Sequence, residues 1–435
     1  MMLMKDALTE LIFEFYERTF DCVVPRSFQL PELPRNATVI TGMRRTGKTF
    51  RVYQQIQELQ QNGIELNRIL YLNFDDDRLD GITANDLRLI PDIYYQAYPD
   101  NRQKLCYFFF DEIQDIDKWE PFIRRLIDSG KVQVYLTGSS SKLLSSEIAT
   151  SMRGRSLEVE VFPLSFEEYL RFHHIMDEIP VHIGPDAKSR ICNALDRYFQ
   201  IGGFPDAQNI ESAIWSQLLQ GYANEVMFHD VVERYRVTNL PVLRYILRRA
   251  FHNPGGKLSA SSLHKDLHSM GIRCDRDYIT QYIDYFCQAY ILYQVPFYTD
   301  SLSQERANPA KYYLVDTGMI RAMSTKRSLD NGPLLENLIY LYLRRKGYEL
   351  KYLVTKKGYE VDFIAINNVT KDTKTIQVCY DLSDEKTFAR EVRPLADVRE
   401  YTNASECLII TWDSEQVLDN GVKVVPAWKF LLDRY

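Results

Sequence analysis

The sequence has no long uncharged apolar stretch, and this absence excludes one class of protein. A membrane-spanning helix needs roughly 20 consecutive apolar residues, and no run approaches that length without a charge. The apolar N-terminal stretch carries Asp6, Glu10, Glu14 and Glu17, which predicts an amphipathic helix and not a signal peptide. We therefore expect a cytoplasmic protein that makes no membrane contact.

Paired cysteines and an excess of positive charge are also missing. The seven cysteines are scattered and none forms a CxxC pair, so neither a zinc site nor a redox dithiol is indicated. The net charge is −6, so any nucleic-acid contact must depend on a local basic patch. With 45% hydrophobic and 26% charged residues in 435, the composition predicts a globular chain of about three domains.

What the sequence does contain is an alternation of apolar runs and helical stretches in its first part. Thr38–Thr41, Ile69–Phe74 and Leu105–Phe110 have the pattern of strands, and the last is apolar throughout, as in a strand buried on both faces. Helices are predicted at 50–62 and around 119–129. Strand, helix and strand in this order predict a three-layer α/β domain with a parallel sheet.

A glycine-rich phosphate-binding motif follows the first strand. It matches GxxxxGK[ST] at every fixed position, and its residues are Gly42, Met43, Arg44, Arg45, Thr46, Gly47, Lys48 and Thr49. Glycines let main-chain N–H groups surround phosphates, and the next helix adds its positive N-terminal dipole. Lys48 is expected to reach the β- and γ-phosphates of ATP, and the Thr49 hydroxyl to bind Mg²⁺.

Two acids, Asp111 and Glu112, end the buried strand about 60 residues after this motif. Ligands of α/β sheets bind at the carboxyl ends of strands. We expect Asp111 to hold Mg²⁺ and Glu112 to activate water as a general base, so that ATP is hydrolysed. The alternative is that both acids only cap the following helix. The strand between the two motifs predicts that the carboxylate strand is not adjacent to the loop strand.

Five further polar residues have open roles. Ser139, after the strand Val132–Thr137, is the candidate sensor of the γ-phosphate, or else a turn serine. Arg153 and Arg155 could stabilise transition-state charge in cis or from a neighbouring subunit, or be solvated loop arginines. Arg44 and Arg45 contact nucleotide or brace the loop.

With these motifs, the chain resembles a prokaryotic family of predicted AAA+-type ATPases related to the signalling ATPases with numerous domains. The resemblance extends over nearly the whole chain through the segments GMRRTGKT, FFFDEI, LTGSSSKLL, RGRSLEVEVFPLSFEEYL, GGFPDA, YYLVDTGM and EVDFIA. It implies a P-loop ATPase core (1–165), a helical region (166–240), a winged-helix domain (241–330) and a restriction-endonuclease-like α/β domain (331–435).

The winged-helix region has a local excess of positive charge. Seven basic residues between 241 and 280 stand against three acids, a net of +4 (7 − 3), before counting histidines. DNA binding through 241–290 is one interpretation, with Arg248 and Arg249 on the basic surface. Docking of a protein partner or self-association is the other, because two acids begin the second helix of the motif.

The nuclease-like region lacks part of its expected chemistry. The resemblance implies Glu336 and Asp362 as Mg²⁺ ligands, followed by Glu-x-Lys, but the sequence has Gln377 and Cys379 there. We therefore predict that this domain does not cleave nucleic acid, unless Lys374 or Lys386 replaces the missing ammonium. Glu360 is expected to point to the opposite strand face and to be solvated. An ATP-regulated nuclease and a DNA-binding regulator with structural nucleotide remain the alternatives to an ATP-driven switch.

Overall fold

The chain divides into two compact units, Met1–Phe162 and Pro163–Tyr435. The computed structural model describes residues 4–20, 23–138, 152, 154–324, 329–398 and 401–435. In these described parts, no helix has both the length and the apolar character needed to cross a bilayer. The predicted finer division of the second unit, at residues 240 and 330, stays a prediction.

The first unit is built on a parallel five-stranded sheet in the order β2-β3-β4-β1-β5. Its strands are β1 (Ala37–Thr41), β2 (Ile69–Asn73), β3 (Cys106–Asp111), β4 (Val132–Thr137) and β5 (Ser156–Glu160). Its described α-helices are α1 (Met4–Glu14), α2 (Lys48–Gln61), α3 (Leu89–Ala97) and α4 (Glu120–Asp128). This arrangement confirms the predicted P-loop NTPase α/β core. Because β4 separates β1 from β3, the loop strand and the carboxylate strand are not neighbours, as the order of motifs predicted.

The sheet of the first unit is covered on both faces, which explains its continuous apolar strands. Alternate residues of β3 enter two different hydrophobic clusters, Phe108 and Phe110 on one face and Phe109 on the other. The Phe109 ring stacks on Tyr135 of β4 with centroids 4.5 Å apart. Burial on both sides fixes the strand register and so fixes where the carboxyl ends of β3 and β4 lie.

The second unit begins with helices. They are α5 (Phe166–Phe172), α6 (Pro185–Ile201), α7 (Ser212–Glu225), a π-helical continuation (Val226–Glu233), α8 (Leu240–His252), α9 (Ala260–Ser269) and α10 (Arg276–Gln288). Helix α5 starts where the sequence signals it, because Ser165 and Glu168 form a reciprocal capping box.

Strands and helices alternate in the rest of the second unit. They are β6 (Leu292–Val295), α11 (Leu302–Ala307), β7 (Lys311–Leu314), α12 (Thr317–Met323), α13 (Asn331–Arg345), β8 (Tyr348–Val354), β9 (Glu360–Asn367), β10 (Thr373–Val378), α14 (Glu385–Val398), β11 (Glu406–Thr411), β12 (Gln416–Val417), β13 (Lys423–Pro426) and α15 (Ala427–Leu431). Strands β6 and β7 form an antiparallel pair, and β8 to β13 form a mixed sheet in the order β12-β13-β11-β10-β9-β8. This second α/β region agrees with the predicted fold class.

Asp316 joins two of the sequence motifs inside the second unit. One of its carboxylate oxygens accepts the Gly203 N–H at 2.7 Å, and the other accepts the Met319 N–H at 2.9 Å at the start of α12. A Cβ on Gly202, whose φ is +79°, would lie 2.1 Å from the same carboxylate. The close approach of Asp316 therefore requires Gly202, whereas a Cβ on Gly203 would lie 2.4 Å from the Leu164 carbonyl oxygen.

Candidate functional site

The loop between β1 and α2 has a main-chain path that only glycine allows at its first position. Gly42 has a φ of +134°, and a Cβ there would lie 2.3 Å from the Val161 carbonyl oxygen. Gly47 has a φ of +94° and immediately precedes α2, which begins at Lys48. The loop therefore curls closely against the sheet and ends at a helix N-terminus, a geometry suited to anions.

The Lys48 side chain is turned into this loop and is buried. Its ammonium donates to the carbonyl oxygens of Gly42 at 3.1 Å and Met43 at 3.0 Å. The Thr46 hydroxyl also donates to the Met43 carbonyl, at 2.9 Å. Arg44 is half-buried and Arg45 is exposed, with a φ of +67°. The positive charge is thus held at the loop, where a phosphate would meet it.

Asp111 connects the carboxylate strand to the loop helix. Its Oδ2 accepts the Thr49 hydroxyl at 2.9 Å and the Tyr71 hydroxyl at 2.8 Å, and its Oδ1 accepts the Thr137 hydroxyl. Burial raises the pKa of the Asp111 carboxyl, an effect that these three hydroxyl donors oppose. A buried acid in this state gains from a nearby cation.

The oxygen atoms of this pair fit a magnesium ion. Mg²⁺ prefers oxygen ligands, and the Thr49 hydroxyl and Asp111 carboxylate lie within hydrogen-bond distance beside the phosphate-binding loop. We expect these two residues to hold the ion together with phosphate oxygens.

Glu112 follows Asp111 in a left-handed conformation, with a φ of +55°. Its N–H donates to the Thr137 hydroxyl oxygen at 3.2 Å, and the Gln114 amide donates to its carboxylate. A non-glycine residue in this region costs about 1 kcal/mol or more, so the surrounding contacts must hold it there. The Thr137 hydroxyl contacts both acidic residues.

Arg155 is the one described residue among the three other predicted site residues, and it is not brought into this site. Ser139 and Arg153 lie outside the described residues. Arg155 precedes β5, and its carbonyl accepts the Ala37 N–H at the start of β1, whereas the loop follows the end of β1. A five-residue strand is about 16 Å long, so Arg155 is out of reach of the loop in cis. Its guanidinium pairs with Asp128.

Two family descriptions match the chain, and two relatives match nearly all of it. Residues 34–170 match an AAA domain, and residues 192–330 match a domain of unknown function (DUF8612). The uncharacterized protein MJ1544 of Methanocaldococcus jannaschii is 33% identical over 427 residues, covering 94% of this chain and 91% of that protein. The chain belongs to the same family as MJ1544.

A second relative of the chain is an uncharacterized protein of Haemophilus influenzae. It is 27% identical over 395 residues, covering 91% of this chain and 94% of that protein. Among solved structures, the Walker-type ATPase PABY2304 of Pyrococcus abyssi is similar with a TM-score of 0.44 and 13% identity. That similarity covers 73% of this chain and 95% of the other.

The sequence analysis missed three residues that contribute to the candidate site. Tyr71 and Thr137 donate to Asp111, and each carries a hydroxyl in a largely apolar strand, which is the signal that could have identified them. Arg26 braces the loop from outside the motif. Its guanidinium donates to the Thr46 carbonyl at 3.0 Å and the Phe162 carbonyl at 2.7 Å. No local pattern identifies Arg26.

Two expectations for the charged residues of the second unit differ from the structure. Glu360 and Asp362 share a strand face, because residues two apart in a strand point the same way, and the predicted opposite orientation was wrong. Glu360 pairs with Lys257 at 2.7 Å and Lys311 at 2.8 Å. Lys374 is not a replacement ammonium, since it pairs with Glu406 at 2.9 Å.

Proposed function

We propose that the chain binds Mg-ATP at the Gly42–Thr49 loop and hydrolyses it with Asp111 and Glu112. The observation that carries this proposal is the Thr49–Asp111 hydrogen bond of 2.9 Å, which joins the loop motif to the carboxylate strand across 62 positions of sequence. The AAA domain match at residues 34–170 supports the same activity. A glycine-rich turn without function would not need the two motifs to meet.

In this proposal the Lys48 ammonium exchanges its loop carbonyls for phosphate oxygens. The loop N–H groups and the α2 N-terminus bind the remaining phosphate charge. Thr49 and Asp111 would hold Mg²⁺, which would supply divalent charge to neutralise the phosphates. Glu112 orients a water molecule and accepts its proton, while the Thr137 hydroxyl fixes both acids relative to each other.

Two substitutions separate binding from hydrolysis. Lys48→Ala should abolish binding of a fluorescent ATP analogue, because it removes the one ammonium within the loop motif. Glu112→Gln should keep binding and lower phosphate release by about 100-fold or more, because an amide cannot accept the proton. Arg88→Met, on an exposed arginine of the same unit, is the matched control. Unchanged affinity in Lys48→Ala would reject the site.

In this proposal the protein is a switch: ATP binding and hydrolysis control the state of the second unit. We propose a winged helix at 241–330 on the strength of α8, α9 and α10 followed by the β6–β7 pair. We also propose that the mixed sheet of 331–435 is an inactive nuclease-like domain. Phosphate release measured with and without DNA, beside light scattering for subunit number, tests whether DNA or self-association controls turnover.

DNA contact through 241–290 is the second candidate function, and exposed arginines favour it. Arg248 and Arg249 are exposed on α8, and Arg273 lines a cavity of about 560 Å³ together with tyrosines. Lys257 does not strengthen this surface, because its ammonium pairs with Glu360. Charge reversal at Arg248 and Arg249 should abolish salt-dependent DNA affinity. If the unaltered chain has no such affinity, docking of a protein partner remains.

A further inference from the structure

Lys311 brings an ammonium to the acidic residues of the second unit, and no motif predicted it. Its Nζ lies 2.9 Å from Glu336, 2.8 Å from Glu360 and 3.1 Å from Asp362. The lysine belongs to β7, whereas the acids belong to α13 and β9. Three carboxylates from two elements therefore converge on one side chain from a third element.

The lysine is enclosed as well as paired. Its side chain is 5% exposed. Burial alone would lower the pKa of this ammonium, but the surrounding acidic groups raise it well above its usual value. The three carboxylate contacts therefore take the place of solvent around the ammonium.

Other groups of the second unit also hydrogen-bond to these acids. Asp362 Oδ2 accepts the Val378 N–H at 3.0 Å, and the Glu336 Oε1 that contacts Lys311 also accepts the Tyr313 hydroxyl at 2.6 Å. Gln377, at the position of the expected metal-binding acid, is occupied as well. Its amide oxygen accepts the Asp362 N–H at 3.3 Å, and its nitrogen donates to Glu391 at 2.7 Å.

A divalent ion does not fit this arrangement. Mg²⁺ would need the Glu336 and Asp362 oxygens at about 2.1 Å, the same atoms that the ammonium contacts, and two cations at that spacing repel strongly. A catalytic ammonium would also have to face a phosphate. Lysine has three N–H donors, and three carboxylates surround this one. No donor is left for a substrate.

We propose that Lys311 is a built-in cation that occupies the place of a divalent metal ion between Glu336 and Asp362, so that the second unit cannot perform metal-dependent cleavage. Its ammonium offsets part of the negative charge of the three acids, in place of the charge that a metal ion would supply. This assignment goes beyond the proposed ATPase and does not depend on it.

The test is to remove the lysine and to measure whether a metal site appears. Binding of Mn²⁺ to the full chain without nucleotide is followed by electron paramagnetic resonance. Lys311→Met should bind one more Mn²⁺ than the unaltered chain, with a Kd on the order of 0.1–1 mM, because Glu336 and Asp362 lose the ammonium that pairs with them. Mn²⁺ should also raise the melting temperature of this variant more than that of the unaltered chain.

Two controls match this change. Lys257→Met removes the other lysine that contacts Glu360 and should gain no ion, since it leaves Lys311 in place. The double variant Lys311→Met with Glu336→Gln should lose the gained ion. If Lys311→Met gains no Mn²⁺ while it is folded, the proposal is rejected.

A second experiment tests the proposal without a lysine variant, in case Lys311→Met does not fold. Glu336→Gln alone should leave Mn²⁺ binding unchanged, and neither protein should nick plasmid DNA with Mg²⁺ or Mn²⁺. Loss of a bound Mn²⁺ in Glu336→Gln, or nicking that Glu336→Gln abolishes, would mean that a metal displaces the lysine and would overturn the proposal.

Discussion

At the scale of single residues, Thr137 contacts both acids that the proposed hydrolysis needs. Its hydroxyl donates to Asp111 and accepts from the Glu112 N–H. Thr137→Val keeps the shape of the side chain but removes both bonds. Phosphate release should fall by about 10- to 100-fold, as is typical when a partner of a metal ligand is lost, while nucleotide affinity changes little.

Thr137→Ser is the matched control, because it keeps the hydroxyl and loses only the methyl group. Its rate should stay close to that of the unaltered chain. Equal rates for the serine and valine variants would show that the hydroxyl does not position the acids.

Arg26 is the residue for which stability and binding should change together. Its guanidinium joins the loop carbonyl of Thr46 to the Phe162 carbonyl, and its own N–H donates to Gln54 at 2.8 Å. Arg26→Met removes two charge-assisted bonds to buried carbonyls and should destabilise the first unit by about 2–4 kcal/mol. Titration with an ATP analogue should show weaker binding, and calorimetry a lower melting temperature.

The matched control for Arg26 is Arg88→Met, which replaces an exposed arginine of the same unit. It should change neither measurement. A stable Arg26→Met chain with unaltered nucleotide affinity would mean that the loop holds its shape without the brace.

At the scale of elements, Asp316 attaches α12 to the Gly202–Gly203 turn, and its stability effect should depend on pH. Burial raises the pKa of its carboxyl to about 6, above an ordinary value of 3.8. The folded state therefore holds this proton more tightly than the unfolded state, so the stabilisation is complete at low pH and is lost as pH rises through 6. Relative to Asp316→Asn, the unaltered chain should lose about 2 kcal/mol of unfolding free energy between pH 4.5 and 7.

Urea unfolding followed by tryptophan fluorescence measures this difference, because Trp215, Trp412 and Trp428 all lie in the second unit. Asn has one acceptor oxygen and cannot accept both N–H bonds, which changes the stability by an amount that does not depend on pH. The diagnostic quantity is the change of the difference with pH. A constant difference would assign the carboxyl an ordinary pKa.

A comparison of the predicted and observed elements shows which features local sequence patterns can predict. A continuous apolar run predicted β3, because a strand buried on both faces leaves a local signature. Arg26 and Lys311 left none, since their partners lie as many as 136 positions away for Arg26 and 51 for Lys311. Strand β7 was not predicted either, so Lys311, which lies on this strand, was not identified as the ammonium beside the acids. Local patterns predicted the elements, whereas these long-range polar contacts required the tertiary structure.

At the scale of the whole molecule, Arg155 indicates how subunits would cooperate. It lies at the end of the sheet away from the loop, it is 43% exposed, and Asp128 is its ion-pair partner. Any contribution of Arg155 to phosphate chemistry must therefore come from another copy of the chain. We predict that the rate per subunit rises with protein concentration and that Arg155→Ala removes this rise, since an arginine supplied in trans stabilises transition-state charge.

Asp128→Ala distinguishes this role from a structural one. It breaks the same surface ion pair, which is worth about 1 kcal/mol at most, but it keeps the guanidinium. Its concentration dependence should match that of the unaltered chain. Mixing Arg155→Ala with Lys48→Ala tests the direction of the contact, because the first variant has an intact loop and the second an intact arginine. The mixture should regain the concentration-dependent rise in phosphate release that neither variant has alone. A mixture without this rise, with light scattering showing that the two variants associate, would contradict a contribution in trans.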